Sequence, residues 1–287
     1  MSKIKIITDS TSDIPVDVAK KYNISVAPIT INIDGVDYAS WIELDSDSFF
    51  EKLEKAKEMP KTAQATPEIF LGLYEDALKE GYEDIIVITI SSNASGTHQS
   101  AYIAKTIFQE NHNNKIEIID SQSFSIGIGL LVEKAAELVE AGVSFEDTVK
   151  RVEEYKNEYD VFFLVDTLKY FEKGGRINKA SLIVGTLLNI KPVLSVRNGI
   201  IESIDKFRGS KNAVRKLFEK VQNDSTRDPD SKEFAIVHAS QEKAEEMKRY
   251  LIEEFGVDKL LMESKVGATV GTYTGPDVIA LFFFKKR

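Results

Sequence analysis

The sequence predicts a two-domain α/β protein, a parallel-sheet domain followed by a smaller α/β domain. Three observations lead there. Apolar runs of strand length alternate with helix-period segments up to about residue 160, as in a doubly wound sheet. Beyond it the alternation gives way to a hairpin signal, Asn198-Gly199 between two β-rich runs. The length, 287 residues, exceeds the usual size of one domain. The domains are placed at 1–160 and 161–287.

Residues 4–7 read as the first strand and end in Thr8-Asp9-Ser10-Thr11-Ser12-Asp13, a run of hydroxyl and carboxyl side chains. At the carboxyl end of a strand such a turn either satisfies its own backbone or faces a ligand. Pro15 suits the first position of a short helix, 16–22. Residues 24–33 are strand-like, and Asp34-Gly35 turns the chain back through Val36 and Tyr38. Phe49, Phe50, Leu53 and Ala56 mark an amphipathic helix that Met59-Pro60 stops. Lys61-Thr62-Ala63-Gln64-Ala65-Thr66-Pro67 is a second polar turn. Thr66 as N-cap and Pro67 after it open a helix buried through Ile69, Phe70, Leu73, Tyr74 and Leu78. That leaves Thr62 and Gln64 free to serve a ligand.

Residues 85–90 form a continuous β-branched run, the mark of a buried parallel strand. A third polar turn follows, Ser91-Ser92-Asn93-Ala94-Ser95-Gly96-Thr97, and then Ala101, Ala104, Ile107 and Phe108 recur at helical spacing. Strand, polar turn and helix together aim free backbone N–H groups at a small anion. Ser92 or Ser95 as N-cap can bind either the helix or a ligand, so an ordinary capped turn is the competing reading. Residues 116–119 are another buried strand, leading through Asp120-Ser121-Gln122-Ser123 to a helix over 127–139. Gly127 and Gly129 resemble part of a dinucleotide fingerprint, but Val132 stands where its third glycine belongs. They read instead as close-packing glycines. Gly142 ends that helix, and Ser144 caps the next, which runs through Tyr155.

In the second domain, 161–165 is a strand, 167–171 leads to Lys173-Gly174-Gly175-Arg176-Ile177, and a short helical stretch is expected over 180–188. Residues 192–196 and 200–207 flank the hairpin turn. Residues 224–232, polar and with Pro229, suggest a mobile loop. A strand at 234–237 precedes a helix that Ser240 caps and Gly256 closes. Residues 260–263 lead to a short helix opened at Gly267, and 278–284 is a final apolar strand.

Composition excludes several classes. No run approaches the ~20 apolar residues of a membrane span. The absence of cysteine removes disulfide and thiolate chemistry and fits a reducing compartment. The opening Met1-Ser2-Lys3-Ile4-Lys5 runs straight into a strand, so no secretory signal is expected. A net charge of −9 argues against general nucleic-acid binding and requires local groups to hold any anion. His98, His112 and His238 have no metal-ligand spacing, and no metal site is expected. His98 stands one turn beyond Ser95, so a Ser–His acyl hydrolase is the enzyme alternative, though it lacks an identifiable orienting carboxylate. Arg176 and Arg208 are the basic groups most suited to a ligand or partner; the alternative for both is surface ion pairing.

These turns, in this order, resemble the ordered motifs of the DegV family. So do Lys173-Gly174-Gly175-Arg176-Ile177, Asn189-Ile190-Lys191-Pro192-Val193-Leu194 and the segment from Gly267 to Pro276. The resemblance covers essentially the whole chain. It implies a bacterial, cytosolic fatty-acid-binding protein with an N-terminal Rossmann-like domain and a smaller C-terminal α/β domain. A long-chain fatty acid would lie between them, with no cofactor and no catalysis by this chain alone. A separate fatty acid kinase would phosphorylate the presented carboxylate with ATP, and the acyl phosphate would enter phospholipid synthesis. A transient contact with the membrane surface fits that role, whereas an integral segment does not.

By matching motifs, Thr62 and Ser95 would bond the carboxylate, with the Gly96 and Thr97 amides nearby. Arg208 matches a family arginine linked to the kinase step, and Tyr273 would lie near the head group. Two departures stand out. Tyr273 replaces the usual histidine in Gly271-Thr272-Tyr273-Thr274-Gly275-Pro276-Asp277, where Asp277 also replaces a glycine, and Ala63 replaces a serine beside Thr62. A lipid-responsive regulatory protein is the remaining alternative.

Overall fold

A computed structural model describes residues 3–177, 190–209 and 212–286. Strand β1 (Ile4–Asp9) is buried at every position, as a strand covered on both faces must be. It lies between β2 (Ser25–Ala27) and β6 (Asp84–Thr89), and β7 (Ile116–Asp120) pairs with β6. All these pairs are parallel. The register Thr8↔Ile88 sets the carboxyl ends of β1 and β6 side by side, so the first and third polar turns meet.

Helices α3 (Pro67–Lys79) and α4 (Thr97–Gln109) cover one face, where Phe70, Tyr74, Ala104 and Phe108 pack on Ile7, Ile85 and Val87. The other face meets α5 (Ile126–Glu140), with α6 (Phe145–Tyr155) beside it. Residues Ile126, Gly127, Ile128, Gly129, Leu130, Leu131 and Val132 of α5 are all buried, which an amphipathic surface helix would not allow. The reason is that α5 is sandwiched between two sheets. A Cβ on Gly127 would lie 2.1 Å from Ser123 Oγ and 3.0 Å from the Phe282 ring, and one on Gly129 would lie 3.1 Å from the Ser12 carbonyl oxygen. Both glycines serve close packing, as the sequence suggests.

The second sheet, of order β10-β9-β8-β13-β11-β12, is mixed. Its strands are β8 (Tyr159–Leu164), β9 (Ile190–Arg197), β10 (Ile200–Arg208), β11 (Phe234–His238), β12 (Met262–Lys265) and β13 (Ile279–Phe284). Alternation along β8 and β13 sends Phe162, Leu164, Leu281 and Phe283 to an outer core under α8 (Ala213–Gln222) and α9 (Gln241–Phe255). The intervening Val161, Phe163, Ala280 and Phe282 face inward, toward α5.

Several local expectations change. The run 24–33 breaks at Pro28: β2 joins the parallel sheet, while β3 (Thr30–Ile33) forms a separate antiparallel sheet with β4 (Val36–Ala39) and β5 (Lys61–Ala63). Thr62 is therefore in a strand, paired with Ile31, and not in a turn. Ser92 and Ser95 do not cap α4. Gly96 does, without a side-chain bond, because Ser92 donates to Asp120 Oδ2 and Ser95 lies one position too early. The loop 224–232 is pinned to the last strand, by Asp228 N–H to the Phe284 carbonyl at 2.9 Å and Lys286 N–H to that of Thr226 at 2.8 Å. Helix α8 was not anticipated, although Val214, Leu217, Phe218 and Val221 bury one face at helical spacing. The expected helix over 180–188 lies outside the described residues.

Candidate functional site

Between the polar strand ends and the inward face of the mixed sheet lies a cavity of about 610 Å³, within the range of small-molecule sites. Strand alternation supplies its apolar wall: Val161 and Phe163 from β8, Val196 from β9, Val237 from β11, Ala280 and Phe282 from β13. Its polar end is built from Thr62, Gln64, Asn93, Ser95, Gly96 and Tyr273. Among the described residues lining it, Arg176 carries the only charge.

The polar end is assembled from segments far apart in sequence. Helix α10 (Ala268–Thr274) delivers Tyr273, whose hydroxyl lies 2.6 Å from Thr62 Oγ1. The exposed Arg176 guanidinium sits 5.2 Å from the centre of the Tyr273 ring, a cation–π arrangement, and donates to the Gly174 carbonyl at 2.7 Å. The third turn is tied to the hairpin tip: Ser91 Oγ donates to the Gly199 carbonyl at 2.8 Å and Asn93 Nδ2 to that of Asn198 at 3.0 Å. A Cβ on Gly199, already at φ +73°, would meet Ser91 Oγ at 2.3 Å. The Asn-Gly turn thus also admits the site loop.

Hydroxyl pairing determines which donors remain. Ser95 Oγ accepts the Thr97 N–H at 3.2 Å and lies 2.9 Å from Thr97 Oγ1. Each hydroxyl pair, Thr62–Tyr273 and Ser95–Thr97, uses one proton internally and keeps a second to donate outward. Gln64, expected to be free, donates from Nε2 to Ser100 Oγ at 3.0 Å, and its side chain occupies the space a Cβ on Gly96 would need.

Of the residues singled out from sequence, Thr62, Gln64, Ser92, Ser95, Gly96, Arg176 and Tyr273 line the cavity. Thr97 is fully buried behind Ser95 and is not part of the wall. Arg208 ends the edge strand β10, exposed and away from the cavity. His98 does not reach Ser95: its Nδ1 lies 3.0 Å from Thr89 Oγ1. Of the two arginines that the sequence offers to a ligand or partner, Arg176 lines the cavity and Arg208 does not.

Asp9 and Asp13 hold the first turn. Asp9 accepts the N–H groups of Thr11 at 2.9 Å and of Ile90 at 2.8 Å, which joins the ends of β1 and β6. Burial raises its pKa. Asp13 accepts from the Ser125 hydroxyl and from the Gly267 N–H at 3.0 Å, so it links the start of α5 to the start of α10. Burial pushes its carboxyl up to about 7. Among the described residues, no group of three or more His, Cys, Asp or Glu is arranged to hold a metal, and no helix is long and apolar enough to cross a membrane.

Together these features define an α/β protein that encloses a mainly apolar cavity, with a hydroxyl-rich end and a single cation among its described residues, between a parallel and a mixed sheet. The chain belongs to the DegV family, whose model, described as "Uncharacterised protein, DegV family", matches residues 3–286. A DegV domain-containing protein of Caldanaerobacter subterraneus is 38% identical over the full length of both chains. Among solved structures, a fatty-acid-binding DegV family protein from Thermus thermophilus aligns at TM-score 0.87 and 29% identity, covering 99% of this chain and 100% of that one. DegV of Bacillus subtilis, a fatty acid binding protein, aligns at TM-score 0.85 and 31% identity, with 99% and 100% covered.

Proposed function

We propose that this chain binds a long-chain fatty acid, with the acyl chain in the cavity and the carboxylate at its hydroxyl-rich end. The observation that carries this reading is the pattern of the wall: mainly apolar, uncharged among its described residues except for one arginine, with hydroxyls and amides gathered at the arginine's end. Burying ~15 methylenes at ~0.8 kcal/mol each gives roughly 12 kcal/mol of gross driving force before ordering costs. A carboxylate left unpaired there would cost several kcal/mol. The outward protons of Thr62–Tyr273 and Ser95–Thr97, the Gly96 backbone and Arg176 answer that cost. Thr97 acts from behind, by fixing Ser95. The domain at 1–160 supplies most of the polar end, and the domain at 161–287 most of the apolar wall.

In the finer version of this reading, the chain is not a catalyst. It works in the cytoplasm of a bacterium, without a cofactor, and presents the carboxylate to a separate fatty acid kinase. The acyl phosphate so made would enter phospholipid synthesis, with only transient contact at the membrane surface. Arg208, exposed on an edge strand, is suited to the kinase and not to the lipid. The test is mass spectrometry of a lipid extract from purified protein, followed by titration with hexadecanoate. A co-purified fatty acid or saturable binding is expected. Neither, after added lipid has also failed, would overturn the reading.

A further inference from the structure

Behind the cavity wall, away from its hydroxyl-rich end, stands a carboxyl that touches both sides of the wall. Asp13 is 4% exposed. Ser125, which opens α5 and lines the cavity, donates its hydroxyl proton to Asp13 Oδ2. The Gly267 N–H, at the start of α10, donates to Oδ1 at 3.0 Å, and Val266, Thr269 and Val270 around it line the cavity. The fit is close, since a Cβ on Gly267 would lie 2.5 Å from Asp13 Oδ1. On its other side Asp13 lines a small outer pocket of about 170 Å³, with Trp41 and the exposed Val16. The carboxyl thus separates the cavity from the surface. Nothing charged around it compensates it. Asp9 on the same turn is a like charge, and Asp45 lines the same outer pocket. Lys265 of β12 is there too, but Asp47 holds it at 2.6 Å. Among the described residues, α5 and α10 bring Asp13 only the Ser125 hydroxyl and the Gly267 N–H. Burial holds the carboxyl up at about 7.

We propose that an alkyl chain entering the cavity draws a proton onto Asp13, so that ligand binding and protonation are coupled. The coupling takes its ligand from the fatty-acid reading and its mechanism from the place of Asp13 in the wall. Hydrocarbon packed against Ser125 lowers the local dielectric and disfavours the charged carboxyl, and a ligand carboxylate adds a like charge. Protonation keeps both ties. Oδ1 still accepts from Gly267, while the bond to Ser125 reverses and Oδ2 donates to Oγ. The sign follows from linkage: a group that holds its proton more tightly in the complex makes binding tighter at low pH. Affinity then falls as pH rises through the ligand-free pKa, and levels off above that of the complex.

The test is calorimetric titration with hexadecanoate, and with hexadecanol as an uncharged probe, in buffers of different ionisation enthalpy. At about pH 7.5 the wild type should take up roughly half a proton per ligand. Affinity should fall roughly fivefold or more between about pH 6 and about pH 8.5, as a rise of about one pKa unit on binding requires. The Asp13→Asn amide can donate to Ser125 and accept from Gly267, as the protonated acid does. That variant should bind without proton uptake, with a flat profile near the acid-side wild-type affinity. Ser125→Ala, which takes a donor from the ionised carboxyl, should move the slope to higher pH. Wild-type binding without proton uptake overturns the proposal, and so does equal uptake in Asp13→Asn or an unmoved slope in Ser125→Ala. Hexadecanoate bound without uptake removes the coupling and leaves the fatty-acid reading. If hexadecanol binds with proton uptake and hexadecanoate does not bind at all, the fatty-acid reading falls and the coupling at Asp13 stands.

Discussion

The Tyr273 hydroxyl and Thr62 Oγ1 lie 2.6 Å apart across 211 positions of sequence. This bond joins α10 to β5 at the polar end of the cavity. Tyrosine suits the position in two ways. Its ring accepts the Arg176 guanidinium, and its hydroxyl reaches Thr62 without bringing a charge of its own.

Thr62→Ala and Ser95→Ala should each weaken fatty-acid binding tenfold or more and leave the fold intact. A hydrogen bond to a charged group contributes ~1.5–3 kcal/mol. The double substitution should cost less than the sum, because water can enter the vacated end. Titration decides the matter: equal affinities for wild type and both variants would remove these residues from the site.

Tyr273→His should change fatty-acid affinity less than about tenfold, under 1.4 kcal/mol. Imidazole can replace the phenol as a hydrogen-bond partner, and when protonated it adds a charge near a transferring phosphoryl group. Acyl-phosphate formation with a cognate kinase and ATP, at saturating fatty acid, should therefore rise more than tenfold. Equal rates, or a faster tyrosine form, would mean that the phenol is no handicap.

Asp13 makes folding pH-dependent. Its folded pKa of about 7 lies above the ordinary value of 3.8. Below pH 3.8 the group is protonated in both states and carries no penalty. Between 3.8 and about 7 the unfolded chain ionises first, so this group's contribution to stability falls as pH rises and levels off above 7. The whole effect is at most about 4 kcal/mol. Asp13→Asn should therefore gain stability relative to wild type between pH 4 and pH 8, read from denaturant melts at the two values. A difference that stays constant with pH would mean Asp13 is not shifted.

Gly127→Ala should lower stability by about 1–3 kcal/mol, despite alanine's better helix propensity, because the new methyl meets Ser123 Oγ and the Phe282 ring. Gly72→Ala is the matched control. It lies in α3 with no heavy atom within 4 Å of its would-be Cβ, and should gain up to about 1 kcal/mol. Thermal melts of the two variants should move in opposite directions; a Gly127→Ala variant as stable as wild type would refute the close-packing role.

Local chemistry made much of the fold legible. Ser144 and Ser240 cap their helices, Asp34-Gly35 and Asn198-Gly199 turn their hairpins, and the β-branched run before Ser91 is a buried parallel strand. Each depends on residues within a turn or two of one another, and sequence spacing reports that range. Ser95 could be singled out for the same reason, as a hydroxyl just before a helix start, and Thr62 as a polar side chain with no capping duty; only the family resemblance assigned both to one carboxylate. What only the tertiary structure decided is who meets them. Gln64 was spent on Ser100 and Thr62 was drawn into a strand beside Ile31. Arg176 was carried to the mouth, Arg208 was left on an outer edge, and Tyr273 closed the wall. Those outcomes follow from the order of strands in two sheets and from a helix packed between them. Such contacts form at long sequence separation, where no local period or spacing specifies the partner.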